Sequence, residues 1–136
     1  MSTYKSLKIY ADGGARGNPG PAAAGYVITN DGQILEEGGQ FLGKTTNNQA
    51  EYAAVRVALE AAKKFEPKEI EFHLDSQLVV KQLNGEYRVK NLALRPRVEE
   101  IQRLAKQFKK VTFTHVRREY NKLADAQVNI ILDKHT

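Results

Sequence analysis

A chain of 136 residues with 41% hydrophobic and 27% charged side chains has the size and composition of one folded domain, which excludes disordered and fibrous classes. Cysteine is absent, so disulfides, zinc-thiolate sites and thiol catalysis are excluded, and no run of about 18 apolar residues is available to cross a bilayer as a helix. The formal net charge of +5 raises the local concentration of polyanions such as nucleic acid, and the N-terminus lacks a signal-peptide run, so a cytoplasmic monomer with no membrane partner is expected.

Leu7 to Ala11 alternates apolar and polar residues and runs into Asp12-Gly13-Gly14, a strand that delivers Asp12 to a loop. Gly17-Asn18-Pro19-Gly20-Pro21 is turn chemistry. Gly25 to Thr29 and Ile34 to Phe41, joined through Asn30-Asp31-Gly32, predict a β-hairpin. From Asn48 the period changes: Ala50, Ala54, Val57, Ala58, Ala61 and Phe65 recur at helical spacing, and the alanines favour a helix to about Lys64.

Pro67 separates that helix from a fourth strand, in which Ile70, Phe72 and Leu74 alternate up to Asp75. Ser76 can cap a short helix through Leu83. Gly85 to Pro96 has no clean period and is expected to be a loop. Val98, Ile101, Leu104, Ala105 and Phe108 predict an amphipathic helix, and Val111, Phe113 and His115 a fifth strand with His115 as a packed or hydrogen-bonded core residue. Asn121 precedes a final helix through about Asp133.

This order, with no repeat and no linker, describes a single α/β domain over residues 1–136. Helices lying between strands imply parallel crossovers, and the early hairpin adds antiparallel strands. Ligands of such a sheet sit at the carboxyl ends of its parallel strands.

Four acids fall at such element ends: Asp12, Glu51, Asp75 and Asp125. An acid beside a turn or helix start is also what capping and the helix dipole predict. Their surroundings ask for more, because Asp12 is wedged among glycines, Asp75 follows a strand of buried character and Asp125 lies in an apolar stripe. Hard cations such as Mg²⁺ prefer carboxylate oxygens and share their shell with substrate phosphate, and two of them about 3.5–4 Å apart can drive in-line phosphodiester cleavage. No cysteine, serine or histidine nucleophile is required.

Asp12-Gly13-Gly14-Ala15-Arg16-Gly17-Asn18-Pro19-Gly20-Pro21, Thr45-Thr46-Asn47-Asn48-Gln49-Ala50-Glu51, Leu74-Asp75-Ser76 and Asn121-Lys122-Leu123-Ala124-Asp125 occur in this order. Together they resemble the type 1 ribonuclease H family, over about Leu7 to Asn129. The resemblance implies a ribonuclease H-like α/β fold, with a five-stranded mixed sheet whose second strand is antiparallel, flanked by helices. It also implies an endonuclease that cuts the RNA strand of RNA/DNA hybrids. Asp12, Glu51, Asp75 and Asp125 would be both catalytic and metal ligands, holding two Mg²⁺ or Mn²⁺ ions, and the products would carry a 3′-hydroxyl and a 5′-phosphate.

The resemblance further places Gly13 and Glu51 near RNA 2′-hydroxyls, Asn18 and Thr46 on a DNA phosphate, and Asn48 and Gln49 in the minor groove. Turn and cap chemistry account for Asn18, Asn48 and Thr46 equally well. Two departures stand out. Val116-Arg117-Arg118-Glu119-Tyr120-Asn121 carries no histidine where many members have one in a flexible loop, and Arg118 is a candidate substitute that holds phosphate or leaving-group charge. Between Leu83 and Pro96 no lysine-rich insertion is present, although Tyr87, Arg88, Lys90 and Asn91 offer a phosphate track. The competing readings are a hybrid-binding module of the same fold with weak turnover, and a junction or DNA-strand nuclease.

Overall fold

The computed structural model describes residues 4–136. Strands β1 (Ser6–Ala15), β2 (Gly20–Asn30) and β3 (Gln33–Thr45) precede helix α1 (Asn47–Ala62); β4 (Glu69–Leu74), α2 (Gln77–Leu83), α3 (Arg95–Ala105), β5 (Lys110–His115) and α4 (Lys122–His135) follow. The strands form one sheet in the order β3-β2-β1-β4-β5. β2 runs antiparallel to β1 and β3, whereas β4 and β5 run parallel to β1. This is the five-stranded mixed sheet that the element order and the resemblance predict.

Alternation explains the layering. Leu7, Ile9 and Ala11 of β1 and Ile70, Phe72 and Leu74 of β4 are buried and pack with Ala54, Val55, Ala58 and Leu59 of α1 in the larger core. Each fully buried aliphatic or aromatic side chain of that set contributes about 1.5–3 kcal/mol. A smaller cluster of Ala23, Val128 and Leu132, flanked by Phe41 and Ile131, lies beneath α4. The turn between β2 and β3 uses Asp31 and Gly32, both at positive φ (51° and 80°), the conformation a two-residue type I′ hairpin demands.

The structure departs from the sequence reading where glycine was taken for turn chemistry. β1 does not end at Ala11; it continues through Asp12, paired with Gly25, to Ala15, paired with Ala22. Asp12 therefore sits in a strand and not in a loop. The glycines serve close approach: a Cβ on Gly13 would lie 2.1 Å from the Ala50 carbonyl oxygen, and one on Gly25 would lie 2.6 Å from that of Ala124. Gly25 and Gly13 occupy successive rungs of the β1–β2 ladder and so face opposite sides, one admitting α4 and the other α1.

Two further expectations change. Pro96 lies inside the first turn of α3, where its missing N–H costs nothing, so the irregular stretch is shorter than Gly85 to Pro96. His115 is exposed and not packed, because β5 is the edge strand and the helices cover only its middle partially.

Gly13→Ala is expected to destabilise the protein by about 3 kcal/mol or more, since its methyl must displace the backbone of α1. Gly14→Ala, whose methyl would meet only Val128 Cγ1 at 3.8 Å, should change stability by less than about 1 kcal/mol. Chemical denaturation of both variants checks the contrast, and equal losses would contradict the packing role of Gly13.

Candidate active site

The last paired rung between the parallel strands β1 and β4 is Ala11 with Leu74. The next residues are Asp12 and Asp75, which therefore emerge side by side at the carboxyl edge of the sheet. Glu51 reaches them because Gly13 lets the first turn of α1 close onto β1, its missing Cβ lying 2.6 Å from the Glu51 backbone nitrogen. Asp125 arrives from the other face: Ala124 rests on Gly25, the ladder partner of Asp12, and the Asp125 amide donates to the Asn121 carbonyl at 3.1 Å. All four acids predicted from the sequence thus gather at one place, from four elements.

Asn121 precedes α4, as the sequence predicts, but has a role that the sequence did not reveal. It makes no side-chain cap to α4. Its Nδ2 instead donates to the Ala11 carbonyl at 2.9 Å and, more weakly, to Asp75 Oδ2 at 3.4 Å, and the residue is only 1% exposed. One amide therefore ties β1 at Ala11, the Asp75 carboxylate and the start of α4. Nothing local distinguishes such an asparagine from a cap.

Electrostatics single out Asp12. Burial pushes its carboxyl up to about 8, and the charges of Asp75 and Asp125, a hydrogen bond with Asp125 and the charge of Glu51 push the same way. Glu51 is raised to about 7, again chiefly by burial, with Asp75 adding to the rise while a Ser76 hydrogen bond and the Arg118 charge oppose it. Glu51 Oε2 is buried with no hydrogen-bond partner. The small cleft between Asp12, Glu51, Asp75 and Ser76 has a volume of about 10 Å³, close to what one water-sized sphere needs.

The acids form a repelling cluster and not a finished cage. Among the described residues no group of three or more His, Asp or Glu side chains is arranged to hold a metal ion. Like charges in a desolvated site hold one another apart, and a cation would offset that repulsion. The donor set suits a hard divalent cation: carboxylates only, one of them with an unclaimed buried oxygen. A cavity of about 560 Å³ between Lys8, Tyr10, Glu71 and Tyr120 contains none of the four acids.

Thr46 caps α1, its hydroxyl accepting from the Gln49 amide at 3.2 Å, and it keeps its own proton to donate. Asn18 Oδ1 accepts from the Asn47 amide at 3.0 Å, which secures its loop to α1 and leaves the side-chain NH₂ as a donor. Asn48 is exposed in the first turn of α1. Gln49 is held within the protein: its Nε2 donates to the Ala93 carbonyl at 3.1 Å and its Oε1 accepts from Arg97 at 3.0 Å. Arg118 is exposed on a 3-10 turn, Arg118–Tyr120, near enough to Glu51 for its charge to be felt there.

Sheet order, crossovers and acids at the ends of β1 and β4 define a ribonuclease H-like α/β domain. The family described as Reverse transcriptase-like matches residues 10–130. Ribonuclease HI of Halobacterium salinarum is 48% identical over 128 residues, which cover 93% of this chain and 64% of that protein's length. The crystal structure of RNase H1 from the same archaeon superposes with a TM-score of 0.91 at 46% identity, covering 95% of this chain and 98% of that one. LC11-RNase H1 in complex with an RNA/DNA hybrid gives 0.90 at 42% identity, over 95% and 98%. The chain belongs to the type 1 ribonuclease H family.

The raised acids have a consequence for stability. Asp12 and Glu51 hold protons more tightly folded than unfolded, so the stability they contribute is full below about pH 4 and is lost as pH rises through about 7 and 8. In chelator, Asp12→Asn should leave the melting temperature at pH 4 unchanged and raise it on the order of 5 °C at pH 9. A gain that does not depend on pH would contradict the burial of Asp12 among like charges.

Proposed function

We propose that this chain is an endonuclease that hydrolyses the RNA strand of RNA/DNA hybrids with the aid of two divalent cations, Mg²⁺ or Mn²⁺. The observation that carries the reading is the convergence of four acids on Asp12, whose carboxyl is raised to about 8 by burial and by its neighbours. A solvated structural role gives no reason to concentrate unpaired carboxylates where the β1–β4 pairing stops. The hybrid-bound relative of 42% identity supports the choice of substrate.

Asp12, Glu51, Asp75 and Asp125 would hold the cations, and Asn121 would keep Asp75 aligned with β1 at Ala11. When bound, the cations supply Lewis acidity toward the attacking water and the leaving 3′-oxygen, so that the products carry 3′-hydroxyl and 5′-phosphate ends. The protein's own groups do the rest. The Gly13 backbone and Glu51 approach the 2′-hydroxyls that mark an RNA strand. Asn18 and Thr46 donate to a phosphate of the DNA strand, beside the N-terminus of α1, whose dipole favours an anion. Asn48 is exposed where a base edge in the minor groove is within reach. Arg118 steadies charge on the phosphate as it is cleaved, the task that falls to it in a segment without histidine.

Asp12→Asn and Asp75→Asn should each reduce cleavage of a hybrid on the order of 10³-fold or more, about 4 kcal/mol of transition-state stabilisation, with hybrid affinity changed less than about threefold. Chelator should abolish cleavage and added Mg²⁺ restore it. A panel of RNA/DNA hybrid, RNA duplex and DNA duplex, with product ends mapped, checks this. Wild-type cleavage by Asp12→Asn would overturn the reading, and a hybrid shifted on a gel without product under either metal would favour the weak-turnover binding module.

A further inference from the structure

Beside the α1 N-terminus lies a second polar cavity, about 220 Å³, whose lining includes Thr45 and Gln40 of β3, Gln49 and Arg56 of α1, and Arg97 of α3. Its lining residue Thr45 is the chain neighbour of Thr46. The two arginines are in different states. Arg56 is neutralised by Glu60 at 3.5 Å and Glu100 at 3.3 Å. Arg97 makes no ion pair among the described residues, and its Nε donates to a neutral acceptor, Gln49 Oε1, at 3.0 Å.

Gln49 is itself fixed. Its Nε2 donates to the Ala93 carbonyl at 3.1 Å, so the amide must present its oxygen to Arg97. The result is a guanidinium held by one nitrogen with its full charge intact and its two terminal nitrogens unclaimed. A carboxylate at position 49 would hold the same arm more strongly and cancel the charge. A neutral holder suits an arginine whose partner is an external anion, and a fork of parallel N–H donors matches a phosphate.

We propose that Arg97, oriented by Gln49, binds a second backbone phosphate of the DNA strand, neighbouring the one held by Asn18 and Thr46. This rests on the hybrid-nuclease reading above, and it assigns a grip to a chain that has no lysine-rich insertion between Leu83 and Pro96. Gln49 is then a positioning residue and Arg97 a substrate-binding one. Thr45 and Gln40 supply the opposite polar wall.

The test measures binding apart from cleavage, by fluorescence anisotropy of a labelled hybrid in chelator over a range of salt. Arg97→Ala should weaken binding about tenfold and reduce the slope of log affinity against log salt by about 1, with folding unchanged because the side chain is exposed. Gln49→Glu, which keeps the acceptor but cancels the charge, should match Arg97→Ala. Replacing DNA-strand phosphates singly by neutral methylphosphonates should reveal a position that weakens wild-type binding and is silent in Arg97→Ala. Inorganic phosphate should compete weakly, showing that the anion belongs to the strand. An unchanged salt slope in Arg97→Ala, equal sensitivity at every position in both proteins, or a sensitive position on the RNA strand would overturn the proposal. Because no product is measured, a wild type that binds hybrid through Arg97 but cuts nothing would sink only the proposed activity.

Discussion

The pairing of the parallel neighbours β1 and β4 stops at Ala11 and Leu74, the next residue of each chain segment is an aspartate, and the rest of the site follows from the charge placed beside that last shared rung. Two adjacent carboxylates would ordinarily be separated or paired with bases. Here two more acids, Glu51 and Asp125, are added from helices on opposite faces, and burial keeps water from screening them. The neighbouring cation, Arg118, opposes only part of the effect on Glu51. Such an arrangement is unfavourable to the fold on its own and favourable to a divalent ion. It is the trade between stability and function that catalytic sites commonly show.

The backbone makes this crowding possible. Gly13 and Gly25 lack the methyl groups that would hold α1 and α4 away from β1 and β2, so both helices bring their first turns to the same pair of strands. Asn121 then secures three of the converging pieces with a single buried amide. None of this builds a deep pocket. Glu51 comes from the first turns of α1, the helix whose start also carries the hydrogen bonds of Thr46, Asn18 and Gln49.

Periodicity made most of the fold legible. The alanine-rich spacing of α1 and the alternation of Ile70, Phe72 and Leu74 in β4 are each dictated by which face meets the core, and they appear in the structure as predicted. The four acids were legible because each lies in a short motif. What stayed hidden depends on contacts far apart in sequence. Glycines around Asp12 looked like a turn, but they are close-approach sites in a continuing strand, and only the position of α1 reveals it. The buried hydrogen bonds of Asn121 appear only once β1 is placed beside it, and those of Gln49 only once Ala93 and α3 are. His115 alternates correctly with Val111 and Phe113, yet an edge strand offers its last residue little to pack against.

The ionisation of Asp12 is the most direct probe of the crowded acids, and carbon-13 NMR of its side-chain carboxyl against pH reads it. In metal-free protein the signal should titrate near 8, far above the ordinary value of 3.8, and saturating Mg²⁺ should move the midpoint down by more than about one pH unit. A midpoint near 4 that Mg²⁺ leaves in place would show that the carboxylates neither crowd one another nor recruit a cation, and would contradict the account.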